Sequence, residues 1–142
     1  MKNLFGPVSR KDLIFISVVL VILIVMIAFD TDVDILVNYD KDMLQITSPR
    51  LNVDIPHSQV QSVTLIHMPT DFGTAASDSY THEAYCAGTW ENPDWGTYTL
   101  CVIPGNEKCI LVKLDSATVA FSCTTDEKTE TLFISYRDYL DP

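Results

Sequence analysis

The chain has 142 residues, room for one domain and an anchor but not for two domains. Hydrophobic residues make up 47% of it, and 9 basic against 19 acidic side chains give a formal net charge of −10. A surface this acidic repels nucleic acid and anionic lipid headgroups, so neither is expected as a partner.

Residues 1–12 hold Lys2, Arg10, Lys11 and Asp12 and are expected to form a short cytoplasmic N-terminus. Residues 13–29 then read LIFISVVLVILIVMIAF, broken only by Ser17. As a helix these 17 residues span about 25 Å, at the short end of what crosses a bilayer core. The run has no polar face, which excludes an amphipathic surface helix, and it is too long for a strand. A cleaved signal peptide would end in small residues, whereas this run ends Met26-Ile27-Ala28-Phe29-Asp30. A single-pass transmembrane helix in the cell membrane is therefore expected over residues 13–29. Arg10 and Lys11 precede it and Asp30, Asp32 and Asp34 follow it. The positive-inside rule then places the C-terminal domain outside the cytoplasm.

Residues 33–141 form a series of short alternating runs separated by turn residues. The runs are Asp34–Asn38, Met43–Thr47, Leu51–Ile55, Val60–Ile66, Ala87–Glu91, Gly96–Ile103, Cys109–Leu114 and Thr118–Cys123. Residues 68–85 are polar, with Pro69 and Gly73, and read as a long mobile loop with strand pieces. Pro104-Gly105-Asn106-Glu107 reads as a hairpin turn. From Asp126 the period changes: Leu132, Phe133, Tyr136 and Leu140 share one face of a helix, with Asp126 as its expected N-cap. The expected domain is mainly β, a bent antiparallel sheet or barrel of about seven strands closed by one C-terminal helix.

The segment Asp54-Ile55-Pro56-His57-Ser58-Gln59-Val60-Gln61-Ser62-Val63-Thr64-Leu65 resembles the signature of bacterial pleckstrin-homology-like domains. Phe72-Gly73-Thr74, Gly88-Thr89-Trp90, Trp95-Gly96-Thr97-Tyr98, Ile110–Lys113 and the terminal helix with Glu130-Thr131 follow in the same order. Ala75-Ala76-Ser77 departs from the pattern, where a second glycine is common. The resemblance covers roughly residues 33–141 and implies a pleckstrin-homology-like fold, often preceded by a transmembrane helix. It supplies no catalytic motif.

Four cysteines, Cys86, Cys101, Cys109 and Cys123, follow the anchor, where disulfides persist if the domain faces out. Cys101 and Cys109 flank the Pro104–Glu107 turn, so a disulfide across a hairpin is one reading and four separate thiols the other. No C-x-x-C spacing points to zinc. His57, His67 and His82 are scattered, and no G-x-S-x-G surrounds Ser58. Asp30, Asp32, Asp34, Asp40 and Asp42 lack the glycine and terminal glutamate of a calcium loop and read as a solvated collar. No catalytic residue, metal or cofactor is assigned.

Trp90 and Trp95, with Tyr80, Tyr85 and Tyr98, lie in or beside the long loop. Exposed, they would make a stacking platform or an interface hot spot; buried, they are core. These readings lead to a non-enzymatic, membrane-anchored interaction module with a protein partner. Its expected contact surface is Phe72, Tyr80, Tyr85, Trp90 and Trp95. The alternatives are a cell-envelope glycan or peptide binding domain using Trp90 and Trp95, and a cell-surface hydrolase, which would need His, Ser and acidic residues gathered in one pocket.

Overall fold

The computed structural model describes residues 9–28 and 33–142, in two units divided between Asp32 and Val33. In the first, helix α1 spans Arg10–Ala28. Its apolar side chains from Leu13 to Met26 all stand exposed. Among the described residues no helix is long and apolar enough to cross a membrane. The described apolar side chains run over 14 positions, about 21 Å of helix against a hydrocarbon core of about 30 Å. The expected span runs on to Phe29, which lies outside the described residues, as do residues 1–8 of the expected N-terminal segment.

The second unit is mainly β with one C-terminal helix. Its elements are β1 (Leu36–Tyr39), β2 (Met43–Thr47), β3 (Asn52–Pro56), a 3-10 turn (His57–Gln59), β4 (Val60–His67), β5 (Thr74–Ala75), β6 (Tyr80–His82), β7 (Tyr85–Asn92), β8 (Gly96–Val102), β9 (Lys108–Leu114), β10 (Thr118–Phe121) and α2 (Asp126–Leu140). Strands β1, β2 and β3 form a small antiparallel meander. The larger, seven-stranded sheet is open, with order β4-β9-β10-β8-β7-β5 and β6 also paired to β7.

Alternation decides what each face meets. In β2 and β3, Leu44, Ile46 and Ile55 point to the same core as Cys101, Ile110, Val112, Val119 and Phe121 of the large sheet, with Tyr136 of α2. The opposite face of the large sheet carries Cys86, Trp90, Tyr98, Leu100, Val102, Cys109, Leu111 and Ala120. Met68 and Phe72 pack on this second face. The segment read as a long loop with strand pieces thus covers that face with Met68 and Phe72 and then continues, through β5 and β6, as a strap paired along the free edge of β7. The two Gly-Thr pieces allow the strap to lie this close to β7. Gly88 has φ +114°, and a Cβ there would stand 2.6 Å from the Cα of Ser79; a Cβ on Gly73 would stand 2.0 Å from the carbonyl oxygen of Glu91.

Two expectations change. The sheet is not wholly antiparallel: β10 enters between β8 and β9 and runs parallel to β8. The Pro104–Glu107 turn therefore joins strands that are not neighbours. The helix N-cap is Thr125, whose hydroxyl accepts from the Lys128 N–H. Asp126 instead accepts from the backbone N–H groups of Glu107 and Lys108, tying the turn to the start of α2.

Candidate binding groove

An open groove of about 660 Å³ lies between β1 and the first turns of α2. Residues 34–38 form one wall, and Thr124, Glu127, Lys128, Thr131 and Ser135 rim the other. Ile35, Val37 and Leu132 supply apolar lining between them. Local alternation explains the β1 wall. Ile35, Val37 and Tyr39 face the core, which leaves Leu36 and Asn38 outward. Leu36 is 53% exposed, one of few large apolar side chains of this unit left so open. Asp34 is held by the Thr124 hydroxyl, which donates to its carboxylate at 2.5 Å and closes one end of the groove.

The residues expected as a contact surface are not gathered in one. Trp90 is 7% exposed and its indole N–H has no hydrogen-bond partner among the described residues. Phe72 packs edge-on against Trp90, and Trp95 packs edge-on against Tyr98, so these rings fill the space under the strap. The Tyr98 hydroxyl donates to the Phe72 carbonyl at 2.6 Å, and burial pushes it up to about 12. Tyr85 is buried on the opposite face of β7, where its hydroxyl pairs with that of Ser48, and Tyr80 lies half-buried beside it under Arg50. These five side chains divide between the two faces of one sheet, Phe72, Trp90 and Trp95 on one and Tyr80 and Tyr85 on the other.

Cys101 and Cys109 are both free. Strand β10 stands between their strands, about 10 Å across two ladder spacings, and the two thiols point to opposite faces. That exceeds the reach of a disulfide. Burial raises all four thiols, Cys109 to about 12 and Cys123 to about 11, which makes them poor nucleophiles.

The histidines lie apart. His57 is a structural bridge between the β1–β2 turn and α2. Its Nε2 donates to the carbonyl of Asp40 at 2.8 Å, which leaves Nδ1 to accept from the Tyr136 hydroxyl at 2.9 Å. His82 stacks on Tyr80, and His67 is exposed. Asp40 caps its own turn by accepting from the N–H groups of Asp42 and Met43, and these bonds hold its carboxyl below the usual range. Among the described residues no group of three or more His, Cys, Asp or Glu could hold a metal ion; Asp30 and Asp32 of the acidic collar lie outside those residues.

Sequence reading missed the groove because its walls are some 90 positions apart in the chain. The one local signal is Leu36, an apolar residue on the outward phase of its strand. Comparison with protein-family models, with curated proteins and with solved structures found no match.

Proposed function

We propose that this protein is a single-pass, membrane-anchored binding module that takes a polypeptide partner in the groove between β1 and α2. The groove carries the reading: it is large enough for a specific ligand, apolar at its base and polar at its rim. It replaces the strap and the Trp90–Trp95 hairpin as the contact surface. A glycan platform on those rings loses its support, since Trp90 is buried. Binding is favoured over hydrolysis because the thiols are buried and raised, and His57 is engaged at both ring nitrogens.

The anchor rests on the sequence: 17 residues from Leu13 to Phe29 without a polar face. Its single hydroxyl, on Ser17, donates to the Ile14 carbonyl at 2.9 Å, which lowers the cost of leaving water. Arg10 and Lys11 on one flank favour a cytoplasmic N-terminus and an extracytoplasmic domain. Kinship with the bacterial pleckstrin-homology-like domains is part of the proposal. Its support is the signature segment, which runs through β3, the 3-10 turn and β4, together with a terminal helix after the last strand. The parallel β8–β10 pair is the feature that a meander would lack.

A photo-crosslinker at Ser135 in the groove, compared with one at Ser77 on the strap, tests the reading in intact cells. One identified protein should be captured from Ser135 and not from Ser77. Native thiols are too buried to report sidedness, so a Ser77→Cys variant and a membrane-impermeant reagent should establish it. Capture from Ser77 alone, or of lipid alone from Ser135, refutes the binding role. Labelling of Ser77→Cys only after lysis refutes the orientation.

A further inference from the structure

We infer that the groove accepts an extended, cationic polypeptide segment, which pairs with β1 and becomes the fourth strand of the β1–β2–β3 sheet. The inference rests on the groove reading above and names its occupant.

β1 is an edge. Its ladder to β2 uses one side of the strand, from Leu36 opposite Thr47 to Tyr39 opposite Leu44. Among the described residues, no hydrogen bond outside that ladder reaches the backbone of Leu36, Val37 or Asn38. An edge of this kind offers alternate N–H and C=O groups to an incoming chain. The groove lies alongside it, so the space that a new strand would occupy is open.

The other edges are blunted by familiar devices, and this one is not. β3 carries Asp54 and ends at Pro56. β4 has a register shift between Val60 and Ser62. β5 has two residues and β6 three. β1 reads Leu-Val-Asn-Tyr, with no charge, no proline and no register shift. Proteins protect edges to prevent unwanted pairing, so an unprotected edge beside an open groove is suited to wanted pairing.

Charge selects the occupant. Residues 33–142 hold 16 acidic and 6 basic side chains, a balance of −10. At the groove, Asp34 and Glu127 face a single cation, Lys128. A second copy of this domain would bring the same negative charge and a β1 without any basic residue. A segment alternating basic and apolar residues satisfies both features: its apolar side chains share the face of Val37 and Leu132, and its basic ones lie on the outward face with Asp34 and Leu36, where Lys at position 36 would repel them. Four paired residues correspond to about 13 Å of ladder.

The test uses the full chain in neutral detergent micelles, titrated with a synthetic octapeptide of alternating Lys and Val and with its Glu–Val counterpart. Amide hydrogen exchange is followed at β1 and at β4. The Lys–Val peptide should slow exchange at the outward amides among Leu36–Asn38 and leave the β4 edge unchanged. Its affinity should fall as ionic strength passes about 0.15 M, where screening sets in within about 8 Å. Leu36→Lys should weaken binding about tenfold, equivalent to about 1.4 kcal/mol, with an unchanged unfolding midpoint. The proposal is overturned by unprotected β1 amides, by protection at β4 instead, or by equal binding of the Glu–Val peptide. Protection that grows with chain concentration alone would point to a second copy and also overturn it. If Ser135 still captures its partner while β1 stays unprotected, strand addition falls and the groove reading stands; if both are lost, both fall.

Discussion

Replacing Gly88 by alanine should loosen the strap that runs along the edge of β7. Gly88 sits at φ +114°, a region nearly closed to side chains, which costs about 1–3 kcal/mol for a residue forced into it. The added Cβ would stand 2.6 Å from the Cα of Ser79 and 2.8 Å from the carbonyl oxygen of Asp78, where ordinary contact begins at 3.4 Å. The obstacle is backbone, so the strap must retreat by about 0.8 Å. Overpacking of this kind costs about 1–3 kcal/mol more. The retreat also strains the Ala76 N–H bond to the Thr89 carbonyl and the Thr89 hydroxyl bond to Asp78, both 2.9 Å. The expected loss is roughly 2–6 kcal/mol out of a typical total of about 5–15. Gly96 and Gly105 are internal controls. Gly96 has φ +66° but nothing within 4 Å of its Cβ position, so alanine there should cost about 1–2 kcal/mol. Gly105 is open and carries no positive φ, so its alanine variant should stay within about 0.5 kcal/mol of the parent. Urea unfolding followed by tryptophan fluorescence reads all three, since Trp90 lies under the strap. A Gly88→Ala cost no larger than that of Gly96→Ala would show that the strap is not packed on β7.

Stability should fall at alkaline pH. Burial raises Tyr98 and Tyr136 from 10 to about 12, Cys109 from 9 to about 12 and Cys123 from 9 to about 11. These groups ionise near pH 9–10 in the unfolded chain and only near 11–12 in the folded one, so their contribution is complete below about pH 9 and is lost as pH rises through that window. A urea midpoint that stays flat from neutral pH to pH 11 would contradict the burial of these groups, as would rapid alkylation of the native thiols. Asp126→Asn should cost about 1.5–3 kcal/mol, because its carboxylate holds the N–H groups of Glu107 and Lys108 at 3.0 and 2.9 Å. Thr125→Ala, which removes only the helix cap, should cost about 1 kcal/mol by the same unfolding measurement. An Asp126→Asn cost below that of Thr125→Ala would mean that the turn and the helix start are not tied.

The chain's local periods were legible without the fold. Met43–Thr47 alternates in the sequence and is a strand with Leu44 and Ile46 buried. The change of period at Asp126 marks α2, because Leu132, Phe133 and Tyr136 recur as a helix requires. Turn chemistry set the breaks at Asp40 and at Asn92, whose side chain accepts from the Trp95 N–H at 2.7 Å. Which strands pair is a different kind of fact. Alternation tells that one phase of a strand is buried, not against what, so the spacing of Cys101 and Cys109 fits cross-strand neighbours although β10 stands between their strands. The same ambiguity made Trp90 either a platform or a core residue, and only the strap over the second face of the sheet decides it. The long apolar run over residues 13–29 is the reverse case. Its composition alone motivates the proposed anchor, because lipid selects for the absence of polar groups and not for any contact. The groove, in contrast, exists only where β1 meets α2, since an unpaired edge is a property of what fails to pair, and no stretch of sequence records that.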